Sequence, residues 1–254
     1  MTNYISTSNT DDDIDITSIN KEYDLLAREV LSTKQILAYL LKYLIDDYKN
    51  LSIEEIYQLI EDGDESEGKY IKGINTNDTS DNKEIRHDIV FTPKLPNSKD
   101  KIGMYVGVEP QKDDGTKVEK IYKRSLYYQS RLISRQAKEA FDNSEYEKLK
   151  KTNSIWLIFN PSKKNINSIM KFSLTPEFDT NKYPIDFETD YFNIYVVNMG
   201  KDYDYTKKGL FEMLSLVFNS SLPSEKTLEV LKSSYNIDIN KEVINKMCGF
   251  SYGV

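Results

Sequence analysis

The run Ser154-Ile155-Trp156-Leu157-Ile158-Phe159, closed by Asn160-Pro161, constrains the fold more than any other stretch of the chain. An apolar run without polar alternation, stopped by Asn-Pro, is expected of a strand buried on both faces. Such a strand needs layers packed on either side of its sheet. Strand signals also stand at Ile85–Phe91, Ile102–Val108, Ile169–Leu174 and Phe192–Val197, with a helical stretch from Glu119 to Phe141 and a short one at Glu145–Lys151. Strand, strand, helix, strand with flanking helices predicts an α/β sandwich around a mixed central sheet.

The flanks read as helical. Leu25, Leu26, Val30, Leu31, Ile36, Leu37, Leu40, Leu41 and Leu44 recur at helical spacing, giving one long helix or two joined near Ser32. Ser52-x-x-Glu55 is a capping box that opens a short helix. Pro223 precedes one of three helices expected at Leu210–Phe218, Ser224–Tyr235 and Lys241–Met247. The division expected is a polar, Asp-rich leader over 1–18, N-terminal helices over 19–62 and an acidic loop or linker over 63–84. An α/β core over 85–200 and a C-terminal helical extension over 201–254 complete it.

Composition bounds the chemistry. A net charge of −7 and pI near 5.0 leave no global footprint for a polyanionic partner, so any such surface is local. One cysteine, Cys248, fits a reducing compartment, and one histidine, His87, argues against His-based zinc sites and Ser-His or Cys-His catalysis. Trp156 and Cys248 read as packing residues, and His87 as a packed or surface histidine. No apolar run reaches 18 residues, so the expectation is a cytoplasmic protein with no membrane contact.

Two acids on neighbouring strand segments carry the chemistry: Asp88 within Ile85–Phe91, and Glu109 directly after Val108, in the triplet Glu109-Pro110-Gln111. Magnesium takes hard oxygen ligands and keeps several waters, so two carboxylates with a phosphate suffice, and the Pro110 carbonyl is a third oxygen within reach. A bound ion of this kind polarises a phosphoryl oxygen and lowers the pKa of water. Gln111 falls on the same strand face as Glu109 and can orient a water, but brings no positive charge. On spacing alone, strand-end acids paired with Arg86 or Lys101 are the better explanation of the pattern. Pro110 lacks an N–H, so the strand is expected to miss a ladder bond there.

At 100° per residue, Lys117, Lys120, Arg124, Arg131, Arg135 and Lys138 fall within about 60°, with Tyr127 on the same stripe. From Lys117 to Lys138 seven basic residues face one acid, Glu119, against the charge of the whole chain. Either this is a solvated amphipathic face, or it tracks a phosphate backbone. Tyr122, Leu126, Ile133 and Ala137 are expected to face the sheet.

Val106-Gly107-Val108-Glu109-Pro110-Gln111, Arg124-Ser125-Leu126-Tyr127-Tyr128-Gln129-Ser130-Arg131 and Ser154 to Pro161 together resemble the PD-(D/E)xK nuclease family transposases, relatives of the recombination-promoting nucleases. The resemblance runs from about residue 22 to the C-terminus. It implies a restriction-endonuclease-like core and Mg²⁺-dependent DNA cleavage, with Mn²⁺ as substitute. It gives catalytic roles to Asp88, Glu109 and Gln111, with Gln111 at the motif lysine position, and metal-ligand roles to Asp88, Glu109 and Pro110. An acid from the first helix completes the implied site: Glu29 is the candidate and Asp24 the alternative. Lys120, Arg124, Tyr127, Tyr128, Arg131, Arg135 and Lys138 are the expected DNA contacts, and a homodimer is left open. The alternative is a catalytically weak or inactive nuclease-fold protein that binds DNA or a protein partner.

Overall fold

The computed structural model describes residues 16–61, 77–78, 85–86, 88–113, 118–141, 144–176, 187–200, 204 and 207–251. Helix α1 (Ile16–Leu31) already begins inside the stretch expected as a leader. It is followed by α2 (Lys34–Leu44), so the long apolar periodicity resolves into two helices. The break has a local cause. The Ser32 hydroxyl donates back to the Arg28 carbonyl at 2.8 Å, and Thr33 is extended at ψ 122°. Helix α3 (Ile53–Leu59) opens on the expected capping box: the Ser52 N–H donates to Glu55 at 2.7 Å and the Glu55 N–H to Ser52 Oγ at 3.2 Å.

Two short strands, β1 (Asn77–Asp78) and β2 (Ile85–Arg86), form an antiparallel ribbon inside and beside the expected linker. The main sheet contains β3 (Ile89–Phe91), β4 (Met104–Asp113), β5 (Lys151–Asn160), β6 (Ser168–Ser173) and β7 (Phe192–Asn198), in the order β3-β4-β5-β7-β6. Strands β4, β5 and β7 are parallel, and the edge strands β3 and β6 are antiparallel to their neighbours. The expected strand over Ile85–Phe91 is therefore divided between two sheets, with Asp88 at the bend. The expected strand ending at Val108 runs on through Glu109 and Gln111 to Asp113.

Strand β5 is buried from Lys151 to Phe159, which confirms a strand covered on both faces. Its side chains alternate between two cores. Ile155, Leu157 and Phe159 join Val106 and Val108 against α1, α2 and the C-terminal helices α5 (Leu210–Phe218), α6 (Ser224–Tyr235) and α7 (Lys241–Ser251). Trp156 and Ile158 join Ile194 and Val196 on the other face, under α4 (Val118–Glu139). Leu26, Leu37, Leu214 and Ile244 share one core with the sheet, so the terminal helices form a layer of the domain. The short helix expected near 145–151 is a single 3₁₀ turn, Tyr146–Lys148.

The sheet-facing stripe of α4 departs from expectation. Among its described side chains, the buried ones are Ile121, Ser125, Gln129, Leu132 and Gln136. Leu126 packs partly buried on the Trp156 cluster and Tyr122 on Phe172 at 4.6 Å between centroids, but Ala137 is exposed. Apolar periodicity misplaced the face because two of its central residues are glutamines. Gln136 donates to Thr152 Oγ1 at 2.8 Å and to the Lys150 carbonyl at 3.1 Å, and accepts from the Lys150 N–H at 2.8 Å. Gln129 donates to the Thr152 carbonyl at 2.5 Å. Groups at the start of β5 thus satisfy the Gln136 amide at both ends and the Gln129 Nε2, whereas Gln129 Oε1 is buried without a partner among the described residues.

Candidate functional site

Glu109 lies where β4 outruns β3. Strand β3 pairs Ile89–Phe91 with Val108–Val106, so the next residue on each side brings Asp88 opposite Glu109. Cross-strand neighbours share a face with Cβ atoms about 5 Å apart. The two acids are accordingly brought together: the Asp88 N–H donates to Glu109 Oε1 at 3.3 Å, and the carboxyl groups also hydrogen-bond to each other. Like charges placed this way are unfavourable unless something compensates.

Burial pushes both groups up to about 7, from ordinary values of 3.8 for Asp88 and 4.5 for Glu109. After burial, the Glu109 charge is the main cause raising Asp88, with a smaller contribution from Asp24. For Glu109 the hydrogen bonds from Asp88 pull down, as do the charges of Arg124 and Arg28. Near neutral pH the pair therefore holds a shared proton and titrates as a unit.

Arg28 is the residue that sequence reasoning missed. Its guanidinium makes an ion pair with the Asp88 carboxylate, and the two side chains are 41% and 13% exposed. Arg28 stands in the last turn of α1, where a cation suits the helix C-terminus. One turn back on the same face is Asp24, whose charge reaches Asp88. Glu29, the expected third acid, is exposed, and from α1 it is the charges of Arg28 and Asp24 that act on Asp88. The signal was the four-residue spacing of Asp24 and Arg28. Among the described residues, no group of three or more His, Cys, Asp or Glu is gathered to hold a metal ion. Two desolvated carboxylates in contact, with the Pro110 carbonyl one residue on, still fit a hard divalent ion that keeps its waters.

Gln111 lies on the Glu109 face of β4, beneath α4. Its amide is fixed at both ends: Nε2 donates to the Pro110 carbonyl at 2.7 Å, and Oε1 accepts from Arg124 Nη1 at 2.9 Å. Pro110 lies two residues past Val108, beyond the β3 pairing, where a missing N–H is tolerated. Arg124 in turn lies over Trp156, 5.1 Å from the ring centroid, and 5.7 Å from that of Tyr128. Tyr128 meets Trp156 edge-on at 5.6 Å. Trp156 is thus core, as expected, and also a platform.

Of the expected DNA contacts, Lys120, Arg124 and Tyr127 are exposed, while Tyr128, Arg131 and Arg135 are half-buried along the edge of α4. The side chains of His87, Lys117, Lys138 and Cys248 lie outside the described residues. Helix α4 runs from Trp156 back toward the start of β5, so its basic stripe leads away from the acid pair rather than surrounding it. Among the described residues, no helix is long and apolar enough to cross a membrane. Compared with known proteins, the chain matches no family model, no curated protein and no solved structure.

Proposed function

We propose that the protein is a metal-dependent DNA endonuclease of the transposase or recombination-promoting type, built on a restriction-endonuclease-like core and acting in the cytoplasm. The observation that carries this reading is the contact of Asp88 with Glu109 at the bend between β2 and β3. Their carboxylates would hold Mg²⁺ or Mn²⁺, with the Pro110 carbonyl beside them. The ion, when bound, supplies a polarised phosphoryl oxygen and a more acidic water.

The chain's own residues do the rest. Asp88 and Glu109 release their shared proton when they take up a cation, so loading weakens as pH falls below about 7. Arg28 holds Asp88 in position meanwhile. Lys120, Arg124, Arg131 and Arg135 offer positive charge over about 23 Å of helix, given a rise of 1.5 Å per residue. Such contacts position a duplex backbone without reading its sequence.

The Arg28 ion pair also supports a second reading, a weakly catalytic DNA-binding protein in which arginine keeps the cation's place on Asp88. Plasmid DNA incubated with Mg²⁺ or Mn²⁺ separates the two. The nuclease reading expects nicking that Glu109→Gln abolishes while DNA binding persists. Binding without nicking by the unsubstituted protein leaves the second reading, and nicking that survives Glu109→Gln rejects the acid pair as its source.

A further inference from the structure

We infer that Arg124 provides, from α4, the positive charge that position 111 lacks, with Gln111 as the arm that positions it beside the acid pair. This rests on the nuclease reading above. Phosphodiester hydrolysis accumulates negative charge on the phosphoryl oxygens, and preorganised donors aimed at that charge are worth the most in a desolvated site. Gln111 is neutral, and its amide is already spent on the Pro110 carbonyl and on Arg124. Among the described residues, Arg124 is a cation that reaches that face, through its hydrogen bond to Gln111.

Three features set Arg124 apart from the rest of the basic stripe. Its Nη1 donates to Gln111 Oε1 at 2.9 Å, which ties it to the strand that bears Glu109. Its guanidinium lies 5.1 Å from the Trp156 centroid and 5.7 Å from that of Tyr128, so both rings hold it in place. Its charge is felt by Glu109. Yet the residue is exposed, so its remaining N–H groups are accessible to a phosphate. Lysine would not be equivalent, because the planar fork engages Gln111 and a phosphate at once and stacks on an aromatic face.

The test is single-turnover plasmid cleavage with Mg²⁺, set beside DNA binding measured without metal. Far-UV circular dichroism and the thermal midpoint report that each variant remains folded; Trp156 emission does not serve for this, because Arg124 lies against that ring. Arg124→Gln is expected to slow cleavage by about 100-fold. Its DNA affinity should change by less than about threefold, the share of one phosphate contact among several. Adding Gln111→Lys to Arg124→Gln returns a cation to the site from the strand and should recover at least about tenfold of the lost rate. Arg124→Lys, which keeps charge and bulk, should fall between the two and serves if Arg124→Gln fails to fold. A loss of cleavage that merely follows the loss of affinity overturns the inference, as does a double variant that recovers nothing. If the unsubstituted protein shows no nicking that Glu109→Gln abolishes, the nuclease reading itself falls and takes the inference with it.

Discussion

The two ends of β4 and β5 each bury a cluster of charge, and they solve the problem in opposite ways. At the start of β5, Lys151 is only 10% exposed and is ringed by acids: Asp47 at 3.1 Å, Glu188 at 2.9 Å and Asp190 at 3.9 Å. One cation sits among anions that remain partly solvated. Burial alone would lower the Lys151 pKa, but hydrogen bonds to Glu188 and Asp47 outweigh it and raise the value. Five residues further along the sheet, Glu109 lies beside Asp88, so two acids meet where burial penalises their charge. The first cluster ties Asp47 and the 188–190 segment to the sheet and favours folding. The second costs stability, and Arg28 offsets only part of that. Strain of this kind, retained beside an available cation, is what a functional site needs and a structural ion cluster avoids.

The largest effect expected from breaking this contrast is at Lys151. Lys151→Met leaves three acids facing one another and should cost about 3 kcal/mol in a denaturant titration. At the other end the sign should reverse. Glu109→Gln removes one of two opposed charges while keeping its shape, and at pH 8 should leave stability unchanged or raise it by about 1–2 kcal/mol. A loss as large as that for Lys151→Met would mean that both clusters are structural.

The pH dependence follows the same logic. Asp88 and Glu109 have folded-state values raised to about 7, above their ordinary 3.8 and 4.5. Between these limits the folded chain binds more protons than the unfolded one. Their contribution is fully present below about pH 4 and is lost as pH rises through 7. Stability should fall by up to about 1.4 kcal/mol per pH unit for each retained proton, and Glu109→Gln should flatten the slope. Other titrating groups move both proteins alike, so the difference between them is the measured quantity. An identical slope would remove the shared proton from the account. The smallest effect is expected at Arg28. Arg28→Met should cost about 1 kcal/mol at pH 8 and less at pH 5, where Asp88 carries less charge.

The sheet and the strand-borne acids were legible because their signals are local. An apolar run stopped by Asn160-Pro161 marked β5, and acids set beside β-prone segments marked Asp88 and Glu109. What escaped depends on contacts distant in sequence. The four-residue spacing of Asp24 and Arg28 marks a charged face of α1, but not that this face meets the bend at Asp88, 60 residues later. The α4 face was misjudged because Gln129 and Gln136 look solvent-bound until the backbone at the start of β5 is seen to accept from their amides. Lys151 and its three acids come from three separate segments, around Asp47, at the start of β5 and at 188–190, and no sequence spacing links the three.

The most direct test of the central claim is a calorimetric titration of Mn²⁺ into the full chain at pH 8, with Glu109→Gln alongside. Two desolvated carboxylates that await a cation predict one saturable site in the unsubstituted protein, weakened as pH is lowered through 7 and absent from Glu109→Gln. Equal binding by the two proteins, or no saturable binding by either, would contradict the assignment of Asp88 and Glu109 as the cation site.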